Sequence, residues 1–273
     1  EWLLPHFEKM LYDQALLIMA YTEAWQITKN PLFKQTVYEI IEYVVRDLMS
    51  EEGAFYSAED ADSEGEEGKF YVWETSEVET ILNKEETKFF KENFNLKEEG
   101  NFADEATKRL TKQNIPHLKK ELNKEKSNLW EHVRFKLFKH REQRTRPLLD
   151  DKTLTDWNAL MIVALAKAGS VFDDSHLIQK AEKAFDFLDQ QLFDNHKLLH
   201  RYKDGEAAIE AFADDYAFLI WAGIELYEAS FKTRYLKNAI ELNKQFLKIF
   251  WDDKKGGFFF VQFFFEVGYI LFC

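Results

Sequence analysis

One six-residue pattern occurs three times in this chain, and its spacing limits the possible folds more than any other feature. Ala15-Leu16-Leu17-Ile18-Met19-Ala20, Ala159-Leu160-Met161-Ile162-Val163-Ala164 and Ala217-Phe218-Leu219-Ile220-Trp221-Ala222 align without gaps at offsets of 144 and 58 residues. The register continues downstream, where Phe33, Leu177 and Tyr235 coincide, then Val37, Ala181 and Ala239, then Leu48, Leu192 and Phe250. Repeats of this kind mark a supersecondary unit that buries its apolar face only against its neighbours.

Each unit reads as two helices of different character. The first is apolar nearly all round, as in Ala159 to Ala166, which is the signature of a helix buried on every side. The second is amphipathic: Phe33, Val37, Ile40, Ile41, Val44 and Leu48 form one stripe, with Lys34, Glu39, Glu42 and Arg46 between them. Buried first helices and half-exposed second helices imply two concentric layers, an all-α toroid. A superhelical stack of hairpins would more often give two amphipathic helices per repeat. The hairpins are expected at about 5–49, 153–192 and 211–252, within a domain spanning 1–257. Pro5 suits the first position of the first helix. The spacing leaves an excursion over about 57–152. It reads as a strand at Lys69–Trp73, helices around Ser76–Leu82 and Glu85–Phe94, and a charged helix over Ser127–Arg146.

Charge and cysteine content exclude several classes. A net charge of −13 argues against nucleic-acid and anionic-membrane partners, which both need clustered Lys and Arg. Cys273 is the only cysteine, so no internal disulfide, CxxC pair or multi-cysteine zinc site is available. A reducing, cytoplasmic setting fits this. The start, Glu1-Trp2-Leu3-Leu4-Pro5-His6, has neither Met nor signal-peptide character and suggests a fragment or processed product. Residues 258–273, FFFVQFFFEVGYILFC, are short for a membrane span and read as an aberrant Phe-rich tail.

In a two-layer toroid, the returns from outer to inner helix share one mouth, where inner helices aim free N–H groups and positive dipole ends. The unusual polar residues cluster in those returns. His6, His200, Asp60 and Asp214 are the candidate catalytic residues. Glu8, Tyr56, Glu59, Asp62, Trp73, Asp156, Trp157, Asn158, Arg201, Asp215 and Tyr216 are the candidate substrate-binding residues. Carboxylates, His and Arg among Trp and Tyr are what a sugar pocket requires. A plainer role competes: Asp156 and Asp214 stand where N-caps are common. Asp60-x-Asp62-x-Glu64-Gly65 opens like an EF-hand loop, but the twelfth position is Tyr71. No metal site and no cofactor are expected.

Several of these strings resemble a known family. They are Trp2-x-x-Pro5-His6-Phe7-Glu8-Lys9-Met10-Leu11-Tyr12-Asp13; Tyr56 to Gly65 with Gly68-x-Phe70-Tyr71-x-Trp73; Asp150-Asp151-Lys152 with Trp157-Asn158; and Leu199-His200-Arg201-Tyr202 with Asp214-Asp215-Tyr216-Ala217. They resemble the spermatogenesis-associated, thioredoxin-domain-containing family and cover residues 1 to about 260. The resemblance implies an N-terminal thioredoxin-like domain followed by an (α/α)6 toroid of the six-hairpin glycosidase-like superfamily. That superfamily includes sugar 2-epimerases, glucoamylases and unsaturated glucuronyl hydrolases. On that pattern the thioredoxin-like domain, with its cysteines, is missing here, and about half the toroid is missing too.

Two functions follow as expectations. One is an enzyme on a small carbohydrate. For epimerisation, His6 or His200 would remove the proton beside a carbonyl. For hydrolysis, two of Glu59, Asp60, Asp156, Asp214 and Asp215 would serve as acid and base. The other is a binding module that presents a glycan or protein segment to the thioredoxin-like domain.

Overall fold

A computed structural model describes residues 4–103 and 109–261. The chain divides into two compact units, one of residues 1–9 and 59–148, the other of residues 10–58 and 149–273.

The second unit opens with α1 (Leu11–Thr28) and α2 (Pro31–Tyr43), which a π-helical turn over Val44–Leu48 extends. The excursion then supplies the first unit with α3 (Thr75–Ile81), α4 (Lys84–Asn93) and α5 (Lys124–Arg141). The second unit resumes with α6 (Thr155–Phe172), α7 (Ser175–Gln191), α8 (Ala213–Ser230) and α9 (Thr233–Phe250). These are three consecutive hairpins of an α/α toroid, with α1, α6 and α8 side by side in the inner layer and α2, α7 and α9 packed on them.

The repeat is kept to the residue. Each inner helix has 18 residues, and Leu11, Thr155 and Ala213 begin them at the offsets read from the sequence. Each ends on a residue in the left-handed region: Lys29 at φ 54°, Asp173 at 55° and Phe231 at 56°. None is glycine. A left-handed C-cap closes the helix and turns the chain into its outer partner, and here the hairpin geometry imposes it on side chains that ordinarily avoid it. Along α6, Ala159 to Ala166 are all buried, as the all-round apolar pattern requires. Gly169 lets α6 approach the next turn closely, because a Cβ there would lie 2.6 Å from Ile178.

Between α7 and α8 the chain forms an antiparallel hairpin, Lys197–Lys203 with Glu206–Glu210, and Lys197–Lys203 also pairs with Thr153–Leu154. Asp204 and Gly205, both at positive φ, make its two-residue turn. Phe258 and Phe260 pack on the third hairpin, stacking on Phe246 and Phe212. The remainder of the expected Phe-rich tail, 262–273, lies outside the described residues.

The first unit has its own core, in which Phe90, Phe94 and Trp130 stack beside Val78, Leu82, Val133 and Leu137. Its α3 and α4 lie within a residue or two of the helices predicted from sequence. Three local expectations are corrected. Pro5 precedes the first helix by several residues instead of starting it. Lys69–Tyr71 form a turn, and only Trp73–Glu74 pair as a strand, with Gln113–Asn114. The charged helix ends at Arg141, short of Arg146, and Arg144 turns inward to cap the Phe70 and Val72 carbonyls. The acidic run is a hairpin, Asp62–Ser63 on Glu66–Glu67, whose turn residues Glu64 and Gly65 take φ 53° and 79°. This turn geometry differs from that of a calcium-binding loop.

Among the described residues, no helix is long and apolar enough to cross a membrane.

Candidate functional site

Two inner helices and the hairpin before α8 bring three titratable side chains together in the second unit. Asp156 stands in the first turn of α6, Asp215 in the first turn of α8, and His200 on the strand Lys197–Lys203. Thr155 fastens that strand to the start of α6 by donating its hydroxyl to the Leu199 carbonyl at 2.7 Å.

Asp215 is the centre of the group and is 1% exposed. Its Oδ1 accepts the backbone N–H of Asp156 at 3.0 Å, and its Oδ2 accepts that of Phe212 at 2.8 Å. One carboxylate therefore serves free N–H groups at the starts of two helices, where dipoles favour negative charge. Both its oxygens also lie 3.0 Å from His200 Nδ1. That contact places the proton on Nδ1 and leaves Nε2 as the working nitrogen. The His200 side chain is 18% accessible, with Phe212 against its ring edge-on.

Asp156 meets its surroundings differently. Its Oδ1 accepts the N–H of Trp157 at 2.8 Å. Burial, and then the negative charge of Asp215, push its carboxyl up from the usual range to about 6. The hydrogen bond to Asp215 raises the His200 imidazole above its ordinary value, and the charges of Asp215 and Asp156 add to the effect. One atom able to ligate a metal from each of Asp156, His200 and Asp215 lies within 4.8 Å of the others. A metal ion there would have to displace the imidazole proton and share Asp215 oxygens that already accept two N–H groups.

The neighbouring candidates hold the frame. Asn158 is fully buried and latches the return strand, accepting from the N–H of Phe55 at 2.8 Å and donating to its carbonyl at 2.9 Å. Tyr216 is buried, accepts weakly from the N–H of Leu198, and has its phenol raised by burial. Trp157 is half-buried with Tyr12 against it at 4.9 Å. Tyr56 is half-buried, and burial followed by the charge of Glu52 raises its phenol. Arg201 is half-buried on the strand beside His200. Asp214 is exposed on the first turn of α8, one residue from the carboxylate that does the holding. The expected N-cap positions belong to Leu154 and Phe212, so neither Asp156 nor Asp214 is a cap.

The remaining candidates lie in the first unit. His6 is exposed, its Nδ1 accepting the N–H of Glu8, itself exposed, at 3.2 Å. Glu59 is buried, accepts the Tyr71 hydroxyl at 2.9 Å and pairs with Arg146 at 3.6 Å. Asp60 and Asp62 are exposed, Asp60 accepting the N–H of Asp62 at 3.1 Å. Trp73 is a core residue covered by the Arg144 guanidinium at 4.1 Å. Thr155 escaped the sequence reading. Its signal was a hydroxyl residue just ahead of the Asp156-Trp157-Asn158 string.

No family model matches the chain. The chain is 33% identical to human spermatogenesis-associated protein 20 over 296 aligned residues, covering 95% of the chain and 38% of that protein. An uncharacterized protein of Caenorhabditis elegans is 32% identical, with 92% of the chain and 39% of the relative covered. The chain thus spans about two fifths of the length of these relatives. Among solved structures, cellobiose 2-epimerase from Spirochaeta thermophila superposes with a TM-score of 0.58 at 10% identity, over 95% of the chain and 49% of the enzyme. A polysaccharide lyase superposes at 0.50 and 11% identity, over 95% of the chain and 53% of the lyase. Those likenesses establish the toroid fold.

Proposed function

We propose, for a chain that is a homologue of spermatogenesis-associated protein 20 over the stretch it spans, that the N-terminal ends of its inner helices form a proton-transfer site for a small reducing sugar. The observation that carries this reading is the Asp215–His200 pair. A buried carboxylate fixes the tautomer and aim of a partly accessible imidazole, and general acid–base catalysis needs that arrangement. The solved structures of the same fold act in support, since one is named as a sugar epimerase and another as a polysaccharide lyase. The chemistry is of the epimerase or isomerase kind, in which a proton moves beside a carbonyl. Hydrolysis is less well supported. It calls for one carboxylic acid and one free carboxylate flanking a bond, and here Asp215 is engaged by two N–H groups and an imidazole.

The test is a panel of mono- and disaccharides against the full-length protein that carries this chain. Thermal shift would read binding, and proton NMR in heavy water would read exchange beside the carbonyl. Stabilisation by reducing sugars, with exchange that His200→Gln abolishes, is the expected result. Binding of glycans without any exchange would favour a non-catalytic binding module, and neither binding nor exchange would overturn the carbohydrate reading.

A further inference from the structure

We propose that Asp156 is the base that takes the carbon-bound proton and that His200 is its acid partner, so that the site interconverts an aldose and a ketose on one face of the substrate. This rests on the reading of the site as a proton-transfer centre for a reducing sugar, and adds the direction of each proton.

The two carboxylates of the site are not equivalent. Asp215 accepts from Asp156 N–H, Phe212 N–H and His200 Nδ1, which occupies both its oxygens. Asp156 accepts the backbone N–H of Trp157 through Oδ1. Its Oδ2 has no protein partner among the described residues, so Asp156 is the carboxylate open to a substrate proton. His200 has its Nδ1 committed and its Nε2 available. The protonation states agree with these roles. Asp156, raised only to about 6, is ionised at neutral pH, and the raised imidazole keeps its proton further into that range. A base tuned close to the working pH is efficient in this chemistry.

The balance is complete without a cofactor. The Asp156 carboxylate takes the proton from C2 of the open-chain aldose. The C–H pair becomes the C1–C2 double bond, and the carbonyl pair at O1 takes the Nε2 proton of His200. In the second half, neutral His200 takes the O2 proton, the carbonyl forms at C2, and C1 receives the proton held on Asp156. Both residues return to their starting states. One ligating atom from each of Asp156, His200 and Asp215 lies within 4.8 Å of the others, close enough for acid and base to reach one enediol from the same side. Returning the proton to the same face at C1 gives isomerisation, whereas epimerisation at C2 needs a base on the opposite face.

The experiment uses the full-length protein with D-glucose, D-mannose, D-fructose and D-xylose as probes, followed by NMR in heavy water. The wild type is expected to convert aldose to ketose. Asp156→Asn is expected to lower kcat by about 100-fold or more, with KM and the sugar-induced melting shift retained. Asp156→Glu is expected to restore part of the rate and to move the acid limb of the pH profile. If the wild type isomerises and His200→Gln is dead while Asp156→Asn keeps its rate, the Asp156 assignment falls and the proton-transfer reading stands. If the wild type yields a 2-epimer and no ketose, the one-face scheme falls. If it acts on no sugar, the underlying reading falls with it. Should Asp156→Asn fail to fold, the pH profile of Asp156→Glu decides, and an unmoved acid limb overturns the assignment.

Discussion

Asp215 holds His200 through both carboxylate oxygens, each 3.0 Å from Nδ1, while the same two oxygens accept the N–H groups of Asp156 and Phe212. The residue that orients the imidazole is therefore also the residue that ties α6 to α8. Asp215→Ala strands two helix-start N–H groups in a buried place, at about 1–3 kcal/mol for each unsatisfied group. We expect a loss of about 3 kcal/mol in urea unfolding, together with loss of the raised His200 pKa seen by NMR titration. A variant that loses the pKa shift but no stability would mean that the helix tie is dispensable.

Asp156 gives a pH signature of opposite sign to an ordinary carboxylate. Its folded pKa, about 6, lies above its unfolded value of 3.8, so the native state binds the extra proton between them. Stability therefore falls as pH rises through this window and stays reduced above it. Asp156→Asn removes the penalty. We expect it to be more stable than the wild type by on the order of 2 kcal/mol at pH 7.5, with the gain vanishing near pH 4. His200 acts in the same direction, but in a higher pH window. Its raised pKa stabilises the fold below about 6.5, and that contribution is lost as pH rises through the folded value. Paired denaturation curves at pH 4, 6 and 8 would separate the two. A pH-independent difference between Asp156→Asn and wild type would rule the account out.

The hairpin fold was legible because its signal is long and repeated. The offset linking Ala15, Ala159 and Ala217 is the offset linking Leu11, Thr155 and Ala213 at the helix starts. The strings at Asp156, His200 and Asp215 were legible as a group for the same reason, since they fall where outer helices return to inner ones. Their roles were not. Asp156 and Asp214 share one repeat register and look like a matched pair, yet the structure pairs Asp156 with Asp215, one position on. Both helices start at the same repeat position, so the start does not tell the two apart; a shift of one residue on a helix turns a side chain by about 100°, and that turn carries Asp215 inward while Asp214 stays exposed. Trp73 misled for a related reason. An aromatic residue at the end of a short strand beside an acidic loop suits a sugar platform, but here it lies under the Arg144 guanidinium as core. In the excursion, turn residues such as Lys69–Tyr71 mimic strand alternation over a span too short for periodicity to separate the two.

Asn158 is the other buried latch of the frame. It satisfies both the N–H and the carbonyl of Phe55, which sits opposite Met49 in an isolated bridge. Asn158→Ala should cost about 2–4 kcal/mol, because the buried N–H and carbonyl of Phe55 both lose their partner. Hydrogen exchange at residues 54–57 should quicken with it. Unchanged protection there would show that the return strand is held by other means.

The inner helix α1 carries apolar side chains on its open side, with Leu16 at 48% exposure and Leu17 at 43%. Ile27, at 85%, is exposed near the end of the same helix, and large apolar side chains left in water favour association. The chain alone is expected to bind the dye ANS and to self-associate above micromolar concentration. Leu16→Lys with Leu17→Glu should suppress both without lowering the melting temperature by more than a few degrees. A monomeric, dye-silent wild-type chain would contradict this.

Arg144 gives a test within the first unit alone. Its Nη1 donates to the Phe70 and Val72 carbonyls at 2.8 and 2.9 Å, and its Nη2 donates to both oxygens of Glu77 at 2.7 and 2.9 Å. The guanidinium plane also covers Trp73 at 4.1 Å. Four hydrogen bonds and a stacked ring use the planar fork, which an ammonium cannot reproduce. Arg144→Lys keeps the charge but can satisfy only part of this set. We expect a loss of about 2 kcal/mol, a change in Trp73 fluorescence and faster exchange over residues 70–77. If charge alone mattered, Arg144→Lys would match the wild type in all three measurements. The Asp215–His200 pair lies in the other unit, so its pKa should be unchanged in this variant, which makes the pair an internal control.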